Sequence, residues 1–322
     1  MFDRLLLPTD GSDGVEAVFD QVLDIAATHE ATLHILNVAD TTHDSVTRIG
    51  DSVIDVFEEQ GETLVADTAA HANERGIDTE TAVVQGGVAK TITEYAAAAD
   101  IDCIVMPTHG REGIEELILG STTERVSRLT TVPVLTLHPD SEAGDYPFES
   151  LLVPTDGSEP ASIALQFAVD LAEETAAAIH LLSAIDTAVF GAAGHAPQHL
   201  EALQAEAREV VDAAADLAAT TGIEPQRATV EHGTSVSGTI RSYAAEEDID
   251  CIVMGTHGRT GLDRYLMGSV TESTLRSAAV PVFVVPSATA EDADGQEAIA
   301  EDSPVYEAID DEPMDDESTD NE

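Results

Sequence analysis

The chain alternates short apolar runs with longer segments in which apolar residues recur at helical spacing. Each half has five runs that are apolar on both faces, which is typical of strands buried in a parallel sheet. Strand–helix alternation with right-handed crossovers then predicts a doubly wound α/β sheet in each half. The predicted strands are Arg4–Leu7, Thr32–Val38, Thr81–Val84, Cys103–Met106, Val134–Leu137, Ser150–Val153, Ile179–Ile185, Arg227–Val230, Cys251–Met254 and Val282–Val285.

The segments that follow the first strand of each half predict amphipathic helices. In both, apolar residues recur at i, i+3, i+4 and i+7, which places one apolar stripe on a helix. A serine precedes each segment where an N-cap residue belongs. The stripes are Val15, Val18, Phe19 and Val22, then Ala164, Phe167, Ala168 and Leu171, after Ser12 and Ser158.

The two halves are copies of one unit. LLLPTDGS at 5–12 returns as LLVPTDGS at 151–158, and residues 100–128 return at 248–276 with 17 of 29 positions identical. This period is too long for a solenoid repeat and fits a whole domain. We therefore predict domains at 1–140 and 149–286, joined by a linker at 141–148.

Residues 287–322 carry 15 acidic side chains and no Lys or Arg, which predicts a disordered acidic tail. Within it, Val305–Ile309 is weakly apolar, so docking on a partner is the alternative to a solvated tail.

Charge and cysteine content limit the functional classes. The chain has 63 Asp and Glu against 13 Lys and Arg, a net charge of −50, which excludes a broad nucleic-acid-binding surface. No window reaches the apolar length of a membrane span, and no secretory apolar region follows Met1. Two cysteines cannot form a disulfide framework or a four-ligand zinc site. We expect a cytoplasmic protein that binds neither nucleic acid nor membrane.

The negative charge also covers the folded body. Residues 1–286 hold 48 acidic and 13 basic residues, so they would repel one another in dilute buffer. In molar salt the Debye length falls to about 3 Å and most of that repulsion disappears. We therefore hypothesise a salt-rich cytosol such as that of an extreme halophile; an acidic protein of ordinary salinity is the alternative.

Two loop segments of the second half have the composition of a ligand site. In open α/β sheets, ligands bind beyond the carboxyl ends of strands where the winding reverses. Pro154–Gly157 and Gly255–Gly258 follow strands, and Gly268 and Ser269 open a helix. Small residues there let an anion approach the amides of a helix N-terminus, while a carboxylate suits ribose hydroxyls or a cation. The segments predict a nucleotide site, although glycines also serve turns.

The spacing Gly255-x2-Gly258-x9-Gly268-Ser269, with PTDGS after the first strand and a terminal PVFVV strand, resembles the universal stress protein family over about 280 residues. The resemblance implies flavodoxin-like (Rossmann-like) domains, each a five-stranded parallel sheet with helices on both faces. It also implies ATP binding with Mg²⁺, and pairing through the terminal strands Val134–Leu137 and Val282–Val285. One chain would then be a pseudo-dimer; a further homodimer stays open.

The resemblance assigns roles to residues of the second half. It places Asp156 and Gly255 near ribose, the backbone of Ala184 at adenine, and the segments around Gly258 and Gly268 at the phosphates. His257 has the alternative of a local hydrogen bond, and Arg259 that of a surface ion pair. The full predicted site is Pro154, Thr155, Asp156, Ala184, Gly255, His257, Gly258, Arg259, Gly268, Ser269, Val270 and Thr271.

The first half offers a weaker second site. Pro107 stands where Gly255 stands, and proline removes an N–H and fixes φ. Residues 107–121 carry a net charge of −2 and residues 255–269 of +1, which favours a polyphosphate in the second half. We predict tighter binding there and weak or no binding in the first half. The equivalent residues are Pro8, Thr9, Asp10, Val38, Pro107, Gly110, Arg111, Gly120, Ser121, Thr122 and Thr123.

The function that fits these features is ATP binding by a stress-response protein that acts through conformation or partner contacts. No catalytic residue is assigned, because no positioned water-activating base is recognisable, so rapid hydrolysis is not expected. A slow ATPase or nucleotide-processing enzyme is the first alternative. A tandem interaction module whose glycine loops bind nothing is the second.

Overall fold

A computed structural model describes residues 1–40, 52–108, 119–139, 146–188, 197–258, 267–287 and 304–310. The first half contains strands β1 (Arg4–Pro8), β2 (Thr32–Asp40), β3 (Thr79–Gly86), β4 (Cys103–Pro107) and β5 (Val134–Leu137), with helices α1 (Asp13–His29), α2 (Ser52–Glu74), α3 (Val88–Ala98) and α4 (Ser121–Leu129). The second half contains β6 (Ser150–Pro154), β7 (Ala178–Asp186), β8 (Arg227–Gly233), β9 (Cys251–Gly255) and β10 (Val282–Val285), with α5 (Glu159–Thr175), α6 (Pro197–Thr220), α7 (Val236–Glu246) and α8 (Ser269–Ser277). Helix α9 (Pro304–Asp310) follows.

All ten strands form one sheet in the order β3-β2-β1-β4-β5-β10-β9-β6-β7-β8. Neighbours within each half are parallel, while β5 and β10 pair antiparallel with Leu135 opposite Phe283. The Thr136 hydroxyl also donates to the Val282 carbonyl at 3.1 Å. The predicted fold, two doubly wound flavodoxin-like units, is confirmed.

Helices cover both faces of the sheet. On the face of α1, α2, α5 and α6, one apolar core runs through both halves; Phe283 lies 6.2 Å from Phe2 and 5.0 Å from Phe167 between ring centroids. On the opposite face the two halves have separate cores, although Leu119 of the first half packs into the core of the second. None of the described helices is long and apolar enough to cross a membrane.

The helices after the first strand of each half begin as the sequence predicts. The Ser158 hydroxyl accepts a hydrogen bond from the Ala161 amide at 3.4 Å, which caps α5. Ser12 is the N-cap residue of α1 but its side chain makes no capping bond. The apolar stripes face the core, with the two phenylalanines only partly buried. These helices position the loops that precede them, where Asp10 and Asp156 lie.

The register of β3 and β8 differs from the sequence match. Aligning the repeat equates Thr81–Val84 with Arg227–Val230, but in the sheet Ala82 pairs with Leu36 and Thr229 with Leu182. Leu36 and Leu182 are equivalent, so the two strands are offset by one residue from the sequence match. Residues that the sequence match equates therefore point to opposite faces of the sheet. Local sequence similarity does not reveal this difference.

Part of the acidic tail forms a helix in the structure. Residues 304–310 form α9, whose Val305 is 2% exposed and packs with Ala308 and Ile309 against the core of the first half. These three residues are spaced i, i+3, i+4 and so share one face of the helix. Burial of that face stabilises the segment despite its acidic surroundings.

Candidate functional site

The two predicted loop pairs meet at the centre of each half. β1 pairs with β4, and β6 pairs with β9, both in parallel, so their carboxyl ends lie side by side where the chain changes winding direction. This is the position at which doubly wound sheets bind ligands, and the loops after these strands carry the predicted residues.

In the second half, Asp156 joins the two loops. One of its carboxylate oxygens accepts a hydrogen bond from the Ser158 amide at 3.0 Å, which closes an Asx turn. The other oxygen points to the opposite loop: a Cβ on Gly258 would lie 2.6 Å from it. Gly258 is therefore glycine because the Asp156 carboxylate occupies the space that any side chain would need.

Gly268 holds the start of α8 against the same loop. Its amide donates to the Thr256 carbonyl at 2.8 Å, and a Cβ on it would lie 3.3 Å from that oxygen and 3.5 Å from the Cα of His257. As the N-cap residue of α8, it supplies no side-chain acceptor for the first amides of the helix. Ser269 and Val270 thus begin a helix whose N-terminal amides adjoin the Asp156–Gly258 contact.

The remaining predicted residues of the second half have defined positions. The Thr155 amide donates to the Leu182 carbonyl at 2.8 Å and its hydroxyl accepts from the Gly157 amide at 3.2 Å. The Thr271 hydroxyl donates to the Gly255 carbonyl at 2.9 Å, so its side chain tethers α8 to β9. Pro154 ends β6 and Ala184 lies partly buried in β7. Arg259 falls outside the described residues.

His257 lies within the loop and bonds locally, as one of the two sequence interpretations expected. Its Nδ1 is 2.9 Å from the Thr256 hydroxyl. Its Nε2 is buried and has no hydrogen-bond partner among the residues described. A buried polar atom without a partner is unfavourable, so this nitrogen destabilises the loop in the arrangement described.

The loops of the first half repeat this hydrogen bonding. The Asp10 carboxylate accepts from the Ser12 amide at 3.0 Å, and the Gly120 amide donates to the Thr108 carbonyl at 2.6 Å. The Thr123 hydroxyl donates to the Pro107 carbonyl at 2.9 Å. The positions of the other predicted residues also correspond: Pro8 ends β1, Thr9 bonds to β2, Val38 is partly buried in β2, and Ser121 and Thr122 open α4. Gly110 and Arg111 lie outside the described residues.

Gly255 packs closely against the start of α5, a contact that the sequence prediction did not include. A Cβ on Gly255 would lie 2.7 Å from the carbonyl oxygen and 2.8 Å from the carbonyl carbon of Pro160. In the first half, the residue equivalent to Pro160 is Gly14, which has no ring. In the sequence, the first half has proline at the end of the strand and glycine in the following helix, and the second half has the reverse. The signal was present as this paired exchange between the repeats.

Comparison with known proteins agrees with this architecture. The model of the Universal stress protein family matches residues 1–138 and 147–286. The chain belongs to the universal stress protein family. It carries the family's domain twice.

Curated relatives match one domain at a time. Universal stress protein YxiE of Bacillus subtilis is 31% identical over 145 residues, which cover 42% of this chain and 98% of that protein. Universal stress protein MJ0531 of Methanocaldococcus jannaschii is also 31% identical over 145 residues, which cover 44% of this chain and 84% of that protein. The crystal structure of a universal stress protein from Archaeoglobus fulgidus matches with a TM-score of 0.68 at 25% identity, covering 89% of this chain and all of that one.

A cavity adjoins the site of the second universal stress protein domain. It has a volume of about 350 Å³ and lies below the loop of Thr155 and Gly157, between α5 and α6. Leu165, Val210 and Ala214 form part of its apolar wall. The cavity shares Thr155 with the predicted site but not the glycine loop, so it extends the site on the side of these two helices.

The first domain has larger side chains at the corresponding positions. The three wall positions are occupied there by Phe19, Leu64 and Thr68. Leu64 reaches the equivalent loop: a Cβ on Gly11 would lie 3.1 Å from its Cδ1. The two domains therefore share their loop hydrogen bonds but differ in the space beside the loops.

The two cysteines belong to the core and not to the site. Burial raises the pKa of the Cys103 thiol to about 12 and raises that of Cys251 well above its ordinary value. Both remain free thiols in the equivalent strands β4 and β9. Protonated, buried thiols are unreactive, as the sequence predicted for core residues.

Proposed function

We propose that this universal stress protein binds ATP at the second-domain site and acts as a regulatory protein in the stress response. The observation that carries the proposal is the approach of the Asp156 carboxylate to Gly258, beside the start of α8. It brings a group suited to ribose hydroxyls next to helix amides suited to phosphates. Regulation would act through conformation or partner contacts.

The residues fit a nucleotide in the following way. Asp156 would accept from the ribose and the backbone of Ala184 would meet adenine. The amides of Ser269, Val270 and Thr271 would hold the phosphates. The Gly268 amide and the Thr271 hydroxyl are already bonded to the Thr256 and Gly255 carbonyls. Glycine at 268 lets a phosphate approach the backbone closely, while the space beside Gly258 holds the Asp156 carboxylate.

Mg²⁺ would enter together with the nucleotide. Among the described residues, no group of three or more His, Cys, Asp or Glu side chains is arranged to hold a metal ion. We therefore expect the cation to be bound mainly by phosphate oxygens and water, with the Ser269 hydroxyl as the protein's contribution.

We further propose that the second domain binds more tightly than the first. The loop hydrogen bonds are alike in both, so Pro107 does not by itself disable the first site. Support for the asymmetry comes from the charge of the loop segments, −2 in the first half and +1 in the second.

We also propose a pseudo-dimer and a salt-rich cytoplasm. The antiparallel β5–β10 pair joins the terminal strands of the two domains, as two separate chains would be joined. Free, buried cysteines suit a reducing compartment. The net charge of −50 suits high salt, so the melting temperature should be higher in molar KCl than in dilute buffer.

Thermal unfolding in molar KCl with ATP and Mg²⁺, with AMP, and without nucleotide tests the proposal. ATP at about one hundred times its Kd should stabilise the fold by about 2.7 kcal/mol. Asp156→Ala should remove most of this shift, whereas the matched Asp10→Ala should remove little. No shift with ATP in the unmodified protein would contradict nucleotide binding. ADP release over hours would instead favour a slow ATPase.

A further inference from the structure

Helix α9 occupies a specific place on the first domain. It contacts β3 at the edge of the sheet and α3 beside it, and Val305 is 2% exposed within the core that these elements form. Ala82 and Val84 of β3 belong to the same core and are 5% and 2% exposed. We call this face of β3 and α3 the α9 seat.

The second domain has no equivalent seat. By sheet register, Thr229 and Glu231 of β8 take the places of Ala82 and Val84, and Glu231 is exposed. Glu246, at the end of α7, is equivalent to Ala98 at the end of α3. Ala98 packs against the same apolar core as the seat. The seat is therefore apolar in the first domain, while the corresponding surface of the second domain is polar and acidic. On the second domain, the tail helix would bury little apolar surface. Its acidic residues would also be repelled by the acidic residues of that surface.

The tail is long enough to reach the seat within one chain. Strand β3 lies five positions from β10 in the sheet, or about 24 Å at 4.8 Å per strand. The 18 residues from 286 to 303 can extend to roughly 60 Å. Three apolar side chains on a seven-residue helix form too small an interface for tight binding between separate chains. Tethering raises the local concentration into the millimolar range, which favours docking within the chain.

We propose that α9 is an intramolecular strap: the α9 seat is a docking surface for this helix alone, and it fastens the acidic tail of the second domain across the sheet to the edge of the first. The strap covers apolar surface at an edge strand that would otherwise be open to association with other chains. This role is independent of nucleotide binding.

Hydrogen exchange of the full chain in molar KCl tests the strap. Val305→Asp should raise exchange of the α9 amides at least tenfold and increase exchange in β3 and the end of α3. Ala298→Asp adds the same charge elsewhere in the tail and should change neither. Ala98→Glu, which copies the second domain, should release α9 in the same way, whereas Glu246→Ala should leave it docked.

Two results would overturn the proposal. Unchanged α9 exchange in both Val305→Asp and Ala98→Glu would show that the seat does not hold the helix. A loss of α9 protection on hundredfold dilution of the unmodified protein, together with a dimer at the higher concentration, would show that the occupant comes from a second copy. Protection that is independent of concentration supports the strap.

Discussion

The two domains hold their site loops with the same hydrogen bonds but surround them with different side chains. Asp10 and Asp156 close the same turn, and Gly120 and Gly268 donate to equivalent carbonyls. Around these loops, proline and glycine exchange places between the domains. The side chains beside the loop are larger in the first domain, and a cavity lies there in the second. The outer face at the edge strand is apolar in the first domain and acidic in the second. Duplicated domains can thus keep a backbone constellation while the packing beside it diverges, because main-chain hydrogen bonds do not depend on neighbouring side-chain volume.

The largest effect should come from breaking the proline–glycine exchange. Gly255→Pro places a ring against the Pro160 carbonyl and should lower the free energy of unfolding by about 3 kcal/mol, the upper range for overpacking. Pro160→Gly keeps this carbonyl, so adding it should restore less than half of the loss in urea unfolding. Simple additivity of the two changes would contradict direct coupling between these positions.

The next effect concerns nucleotide binding. Gly268→Val puts a branched side chain against Thr256 and His257 and should remove most of the roughly 2.7 kcal/mol of ATP stabilisation. Gly120→Val makes the same change in the first domain and should leave most of it. Isothermal titration of both variants measures the difference. Equal losses would show that the two sites are equivalent.

A smaller effect should come from filling the cavity. Val210→Leu copies Leu64 and buries about one additional methylene, which should stabilise the second domain by about 0.8 kcal/mol. Leu64→Val in the first domain should destabilise by about 1 kcal/mol. Chemical unfolding of both variants checks the opposite signs. Destabilisation by Val210→Leu would mean that the cavity cannot accept the larger side chain.

The smallest expected effect is the pH dependence of stability that two buried histidines produce. His34 Nδ1 lies 3.1 Å from the Tyr95 hydroxyl and His180 Nδ1 lies 3.0 Å from the Tyr243 hydroxyl. Burial lowers the pKa of both imidazoles below 6.5. The unfolded chain therefore binds protons first as the pH falls, so the free energy of unfolding should decrease below about pH 6.5.

The charges beside these histidines differ between the domains. After burial, Glu80 raises the pKa of His34. For His180, a hydrogen bond with Gln226 raises the pKa and Arg227, at the register position of Glu80, lowers it. Arg227→Glu should raise the His180 pKa and lessen the acid destabilisation by a few tenths of a kcal/mol, since the site is exposed to solvent. NMR titration of the imidazole checks the direction; a pKa that falls or stays constant would contradict it.

Much of the loop geometry at the candidate site was predictable because it depends on local sequence. The PTDGS turn, the glycine spacing and Ser269 at the helix start are short-range patterns, and each has the same local geometry wherever the chain forms it. The sequence predicted only that Asp156 and Gly258 lie near each other. The reason for glycine at 258, that a side chain there would overlap the carboxylate, required coordinates.

The sequence by itself determined the repeat, the strand–helix alternation, the positions of the site loops and the buried cysteines, because periodicity and turn chemistry act over a few residues. Tertiary structure alone decided the one-residue offset between β3 and β8, the fit of Gly255 to Pro160 and the docking of α9. Each of these depends on the space between residues far apart along the chain, and that space exists only after the sheet and its helices have packed.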